Sequence, residues 1–142
     1  MHDKKTRPAL TAEALADMPD AKPLAGIVLL DASLSADYDL TKALSMCQTG
    51  IVNCYNLRDV ALLEVGTAMF GNVDGGHGDS AGRTGFSSNF AKFYQVQVTA
   101  DMVNSFDDPH FADCSSAFAG KYLAPWIKTA NWPPASAQLA RQ

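Results

Sequence analysis

The chain has 142 residues, of which 47% are hydrophobic and 18% are charged, and its formal net charge at pH 7 is −4. This length suits one compact domain with a buried core, and the composition excludes a disordered chain. The acidic balance, in which Lys4, Lys5 and Arg7 form the only basic cluster, argues against nucleic acid as a partner.

Cysteine content and hydropathy argue against further classes. Cys47, Cys54 and Cys114 are odd in number and have no C-x-x-C spacing, so we expect reduced thiols rather than disulfides or a zinc site. No apolar run approaches the roughly 20 residues that span a bilayer, and the N-terminus has no secretory h-region. The sequence predicts a cytoplasmic protein with no membrane partner and no cofactor.

The N-terminal segment, residues 1–24, is predicted to be poorly anchored. Residues 1–10 are polar, and Thr11 is the expected cap of a short helix over residues 12–18, which Pro19 ends. We therefore expect this segment to contribute little to the core.

Residues 25–128 alternate between strand and helix patterns. A continuous apolar run over 26–30 predicts a strand buried on both faces, and a second strand is predicted over 51–55. Residues 93–98 alternate in polarity, which predicts a third strand with one wetter face, as at a sheet edge. Helices are predicted over residues 39–46 with Asp39 as the cap, over 60–70, over 101–105, and from Ser115 or Ser116 to Pro125.

The resulting order, βαβαβα, predicts the α/β class with a mostly parallel sheet and helices on both faces, in three layers. Functional loops in such folds lie at the carboxyl ends of the strands. Residues 71–88, rich in Gly, Asp, Ser and His, form a long connection that we interpret as functional or mobile. Residues 129–142 are expected to be a frayed tail.

Three short stretches carry a family resemblance. The run from Leu29 to Leu40 with Asn53 to Asp59, and the stretch from His110 to Pro125, resemble the last third of bacterial α/β-hydrolases. The resemblance covers about residues 25–128. It implies that Asp59 is the acid and His110 the base of a Ser-His-Asp triad.

Residue-level alternatives remain for both positions. Asp59 is equally suited to cap a helix that begins at Val60. His110 lies beside Asp107 and Asp108, which would raise its pKa without any catalytic role.

The nucleophile is the element that the pattern lacks. In this family it precedes the acid and the base on a strand-to-helix turn, and residues 1–32 contain no serine. Gly78-Asp79-Ser80-Ala81-Gly82 satisfies G-x-S-x-G, but no apolar strand precedes it. Ser80 is therefore either a nucleophile in an unusual setting or part of a glycine-rich loop.

Two weaker site hypotheses concern His77 and Cys114. His77 lies near Asp74 and Asp79, which suggests either a weak metal site or, as we favour, a solvated loop. Cys114 follows His110 closely and is a poor candidate for a thiolate nucleophile.

Three functional hypotheses follow. The first is a partial α/β-hydrolase whose full-length relatives cleave esters or related acyl bonds, and which is inactive alone. The second is a non-catalytic binding or structural domain that uses the strand-end rim or an exposed sheet edge, through which it self-associates. The third is a minimal esterase with Ser80 as the nucleophile and His110 as the base.

Overall fold

The computed structural model describes residues 7–57, 72–76, 78–103 and 115–128. Within them, three strands form one parallel sheet in chain order: Ile27–Leu30 (β1), Ile51–Tyr55 (β2) and Phe93–Gln97 (β3). The predicted α/β class and the three predicted strand positions are confirmed, and β3 lies at an edge of the described sheet.

The register brings the three strand ends to the same side of the molecule. Ile51 in the central strand pairs with Ile27 and with Phe93. Because all three strands are parallel, Leu30, Tyr55 and Gln97 end at one side, which we call the carboxyl end of the sheet.

Two hydrophobic clusters cover the two faces of the sheet. Ile27, Leu29 and Ile51 point to one face, where α1 (Arg7–Ala16) and α2 (Thr41–Ser45) pack. The alternate strand positions point to the other face and pack against the C-terminal helical segment; they include Val52, Cys54 and Val96, with Phe118 and Leu123 from that segment. Apolar burial on both faces explains the continuous apolar sequence of β1, and β2 is apolar or aromatic except at Asn53.

The N-terminal segment departs from its prediction where the structure describes it. The helix spans Arg7–Ala16 rather than residues 12–18, and Ala9 and Ala12 are fully buried in the first cluster. The Tyr38 hydroxyl donates to Glu13 Oε2 at 2.7 Å. Small side chains let this helix approach the core closely, so residues 7–16 are anchored, contrary to the expectation.

The second helix is confirmed with shorter bounds. It spans Thr41–Ser45, and its N-cap residue is Leu40 rather than the predicted Asp39, which lies one position earlier. Asp39 Oδ1 accepts a hydrogen bond from the Thr41 N–H at 2.9 Å. Hydrogen bonds from the side chain and then from the backbone of Thr41 lower the pKa of Asp39, as expected for a carboxylate near a helix start.

The glycine-rich connection is more ordered than its composition suggests. A one-turn helix, α3, spans Ala81–Thr84, and Asn72, Ser80 and Phe86 are buried. Side chains of the sheet, Asn53 and Gln95, hydrogen-bond the backbone of this connection at Ala81 and Phe86, whereas Asp74 and Asp79 are exposed.

The C-terminal helical segment continues past its predicted end. Ser115 accepts a hydrogen bond from the Phe118 N–H at 3.2 Å, which identifies it as the cap. The helix then widens into a π-helical turn, Ala119–Leu123, before Ala124–Lys128. A widened turn makes room for a proline ring, so Pro125 does not end the helix.

The other predicted elements are only partly described. The predicted helix over 101–105 begins as a 3₁₀ turn over Ala100–Met102. The helix over 60–70 and the tail over 129–142 lie outside the described residues. Within the described ranges, no helix combines the length and apolarity needed to cross a membrane.

Candidate functional site

Buried polar residues concentrate near the carboxyl end of the sheet. Burying a polar side chain costs free energy unless hydrogen bonds compensate, so such a concentration in a small core marks a candidate site. The buried polar residues of the described part are Asp31, Ser35, Asn53, Asn56, Asn72 and Ser80.

Asp31 directly follows β1 and has an unusual backbone. Its φ angle is 43° and its side chain is fully buried. A left-handed backbone is uncommon for residues other than glycine, although aspartate tolerates it better than most. Gly82 lies against this turn: a β-carbon at Gly82 would be 2.3 Å from the Asp31 carbonyl carbon.

Three hydrogen bonds hold α3 on the strand ends. The Gly82 N–H donates to the Ala32 carbonyl at 2.8 Å, and the Gly82 carbonyl accepts from the Asn56 N–H at 2.8 Å. The Asn53 Nδ2 group donates to the Ala81 carbonyl at 3.0 Å. The second half of the G-x-S-x-G sequence is thereby attached to the ends of both β1 and β2.

Gln95 attaches the next part of the same segment. Its Oε1 accepts from the Phe86 N–H at 2.6 Å, and its Nε2 donates to the Phe86 carbonyl at 2.8 Å. The Gln95 side-chain amide thus binds both backbone groups of Phe86, as a neighbouring strand would.

Ser35 and Ser80 form an isolated antiparallel bridge above the strand ends. The two serines exchange no backbone hydrogen bonds with each other, and in such pairs the side chains lie on the same face and close together. The flanking bonds run from the Ala36 N–H to the Asp79 carbonyl at 3.0 Å and from the Ala81 N–H to the Leu34 carbonyl at 2.7 Å.

The two serine side chains face away from the core. Leu34 and Ala81, their neighbours along the chain, both belong to the first hydrophobic cluster. Because side chains alternate along extended backbone, Ser35 and Ser80 point to the opposite side.

Residues 72–76 lie on that opposite side and bind Ser35. Asp74 Oδ1 accepts from the Ser35 N–H at 3.2 Å and from the Ser35 hydroxyl at 3.1 Å. Asn72 Nδ2 donates to Ser35 Oγ at 3.2 Å and to the Gly78 carbonyl at 3.1 Å. Gly76 also approaches closely, because a β-carbon there would be 2.0 Å from Ser35 Oγ.

Ser80 is enclosed and its hydroxyl is not hydrogen-bonded. Its relative exposure is 1%, and Ser80 Oγ has no hydrogen-bond partner among the described residues. The same holds for the Oδ1 atoms of Asn53 and Asn72. The site thus contains a hydroxyl and two amide oxygens with unused hydrogen-bonding capacity.

The surroundings of Ser80 differ from a nucleophile elbow. Ser80 precedes the one-turn helix α3, with φ −84° and ψ 143°. The described residues before it, 78 and 79, belong to no strand of the sheet, and the next strand, β3, comes after it. The exposed Asp79 carboxylate pairs with Arg83 at 2.9 Å on the outer side.

The remaining predicted site residues lie outside the described part. Asp59, His77, His110 and Cys114 belong to the residues that the structure does not describe. Cys47 and Cys54 are buried and form no disulfide. No group of three or more His, Cys, Asp or Glu side chains within the described ranges could hold a metal ion.

Comparison with protein-family models, curated proteins and solved structures gave no match. The candidate site consequently rests on the geometry of this chain alone.

Sequence reasoning missed the amides that organise this site. Asn53 interrupts a strand that is otherwise apolar or aromatic, Gln95 lies in the middle of a strand that also contains Gln97, and Asn72 follows a predicted helix end. A polar residue in the middle of a buried strand was the signal, because such a position requires a hydrogen-bond partner.

Proposed function

We propose that this chain carries the acid and the base of an ester- or acyl-hydrolysing site, within a larger three-layer α/β-hydrolase fold. One observation carries the proposal: three adjacent parallel strands follow one another in chain order. Asp59 comes shortly after the end of the second strand and His110 comes after the third. That arrangement supports an acid and a base on neighbouring strand-end loops.

In this proposal each residue has a defined role. His110 accepts the proton of a serine hydroxyl as the serine oxygen attacks the acyl carbon of the substrate. The Asp59 carboxylate fixes the histidine tautomer and stabilises the imidazolium. The protonated histidine then donates to the leaving alcohol, and water hydrolyses the acyl-enzyme in a second, equivalent step.

The acid–base pair is testable without a nucleophile. We would follow the imidazole resonances of the three histidines by NMR during a pH titration, with His110→Gln to assign the signal. A carboxylate partner stabilises the charged imidazole, so the pKa of His110 should lie above its ordinary value of about 6.5. Asp59→Asn should lower it.

Asp108→Asn is the matched control, because Asp108 is close to His110 in sequence. If Asp108→Asn shifts the titration and Asp59→Asn does not, His110 responds only to its own loop and the proposal fails. His2 and His77 serve as internal references in the same spectra.

A second candidate, a minimal esterase with Ser80 as the nucleophile, is supported by one contact. Asn56, three positions before Asp59, donates its N–H to the Gly82 carbonyl at 2.8 Å. The G-x-S-x-G segment therefore lies on the strand end that leads towards Asp59. Two observations count against this candidate: the described residues before Ser80, 72–76, 78 and 79, form no strand, and Ser80 is buried.

Intact-mass measurement after fluorophosphonate treatment separates the two candidates. The leading proposal expects no adduct on the folded chain and no hydrolysis of p-nitrophenyl acetate. A stoichiometric adduct that both Ser80→Ala and His110→Ala abolish would instead identify Ser80 as the nucleophile. Failure of both the titration and the labelling would leave the non-catalytic binding domain.

A further inference from the structure

We propose that residues 72–76 form a latch that controls access to the Ser80 hydroxyl. The catalytic meaning of such control rests on the proposed function, whereas the access itself is measurable without any activity. Within the latch, Asn72 and Asp74 hydrogen-bond Ser35, the bridge partner of Ser80, and Gly76 lies close to the Ser35 side chain.

Residues 34–36 and 79–81 form a short antiparallel ribbon around the Ser35–Ser80 bridge. Because Ala81 packs in the core, the neighbouring Ser80 side chain projects from this ribbon on the side of Ser35. Among the described residues, residues 72–76 are the segment that binds this side. A segment in this place would cover the Ser80 hydroxyl, whose residue is 1% exposed.

The Ser80 hydroxyl is buried and has no hydrogen-bond partner among the described residues. A buried hydroxyl without a hydrogen bond is unfavourable, and natural proteins keep few of them. Within the described part of the chain, the Asn72 Oδ1 atom on the latch is also buried without a hydrogen-bond partner, like Ser80 Oγ on the ribbon. Opening the latch would give both atoms access to water or to a ligand, which offsets part of the lost contacts.

The Asp74 carboxylate attaches the latch to Ser35. Asp74 Oδ1 takes two hydrogen bonds from Ser35, while the Asp74 residue itself is exposed. Charge-assisted bonds of this kind are stronger than neutral ones. The Asn72 side chain and the Val73 N–H, which donates to the Ser33 carbonyl at 2.8 Å, also attach the latch. Because Asp74 makes the charge-assisted bonds and is exposed, its removal should loosen the segment without disturbing the core.

The test introduces a thiol with Ser80→Cys and follows its alkylation by iodoacetamide, with peptide mass mapping to locate the label. Adding Asp74→Ala should increase the alkylation rate at position 80 by about tenfold or more, since hydrogen bonds to a charged group are worth about that factor. Asp79→Ala is the matched control, because it removes an exposed carboxylate next to Ser80 that binds Arg83 rather than the latch.

Cys47 and Cys54 report global unfolding in the same experiment, because both are buried. The proposal is overturned if Asp74→Ala and Asp79→Ala give the same rate at position 80. It is also overturned if the rise at position 80 is matched at Cys47 and Cys54.

Amide hydrogen exchange provides a second measurement that needs no change at Ser80. The Ser35 N–H donates to Asp74, whereas the Ala81 N–H donates to the Leu34 carbonyl within the ribbon. With a latch, Asp74→Ala accelerates exchange at Ser35 and leaves Ala81 protected. Equal acceleration at both amides would show that the ribbon opens as one unit, contrary to the proposal.

Discussion

Asn53 and Gln95 are register partners on β2 and β3, and both bind the backbone of the segment that follows Ser80. Asn53 donates to the Ala81 carbonyl, and Gln95 binds both backbone groups of Phe86. These two polar side chains, on a face that also carries Ile51 and Phe93, thus provide hydrogen-bond partners for a chain segment that belongs to no strand of the described sheet. The candidate site is built on this pair.

We predict that Gln95→Met destabilises the protein by about 1–3 kcal/mol, because it leaves the N–H and the carbonyl of the buried Phe86 without their partner. Urea unfolding monitored by circular dichroism measures this difference. Gln97→Met is the control on the same strand: Gln97 is exposed, so its replacement should change the free energy of unfolding by no more than about 0.5 kcal/mol. Equal effects of the two variants would contradict a special role for Gln95.

Tyr38 should make the free energy of unfolding depend on pH in the alkaline range. Burial, and then the hydrogen bond to Glu13, raise the pKa of Tyr38. The folded state therefore favours the protonated phenol. Its contribution to stability is complete below the unfolded-state value of about 10 and is lost as the pH rises through the folded-state value.

The matched variant is Tyr38→Phe, compared with the wild type by urea unfolding from about pH 8 to about pH 11. At the lower pH the wild type should be more stable by up to about 1.5 kcal/mol, the net value of one hydrogen bond. The two curves should converge as the pH rises. Parallel curves across this range would mean that Tyr38 ionises no differently in the folded and unfolded states.

The strands could be predicted from the sequence because their signal is local. Ile27–Leu30 and Ile51–Tyr55 pack against apolar side chains on both faces, so β1 is a continuous apolar run and β2 is apolar or aromatic except at Asn53, a pattern that can be found without knowing the neighbours. The parallel arrangement follows from the helices between them.

The parts that could not be predicted depend on contacts distant in sequence. The Ser35 side chain is held by Asn72 and Asp74, a pairing that no local pattern encodes. The helix that continues through Pro125 depends on a π-helical turn, which has no composition of its own. The order of the glycine-rich connection could not be predicted for the same reason, because side chains outside it, those of Gln95 and Asn53, hydrogen-bond its backbone.

The last prediction separates packing from catalysis in the G-x-S-x-G sequence. Its two glycines have different surroundings: a β-carbon at Gly82 would lie 2.3 Å from the Asp31 carbonyl carbon and 2.5 Å from the Ala32 nitrogen, whereas a β-carbon at Gly78 would meet nothing within 4 Å. Because the obstacles at Gly82 are backbone atoms, Gly82→Ala should destabilise the protein by about 1–3 kcal/mol or more. Gly78→Ala should be neutral or slightly stabilising.

Thermal and urea unfolding of the two variants measure this contrast. A large loss at Gly82 alone would mean that this glycine is required where α3 crosses the turn after β1, so the motif match would be explained by packing. Comparable losses at both positions would contradict the described geometry of the loop before Ser80. In that case an elbow-like conformation around Ser80, with both glycines under constraint, becomes the better account and strengthens Ser80 as the nucleophile.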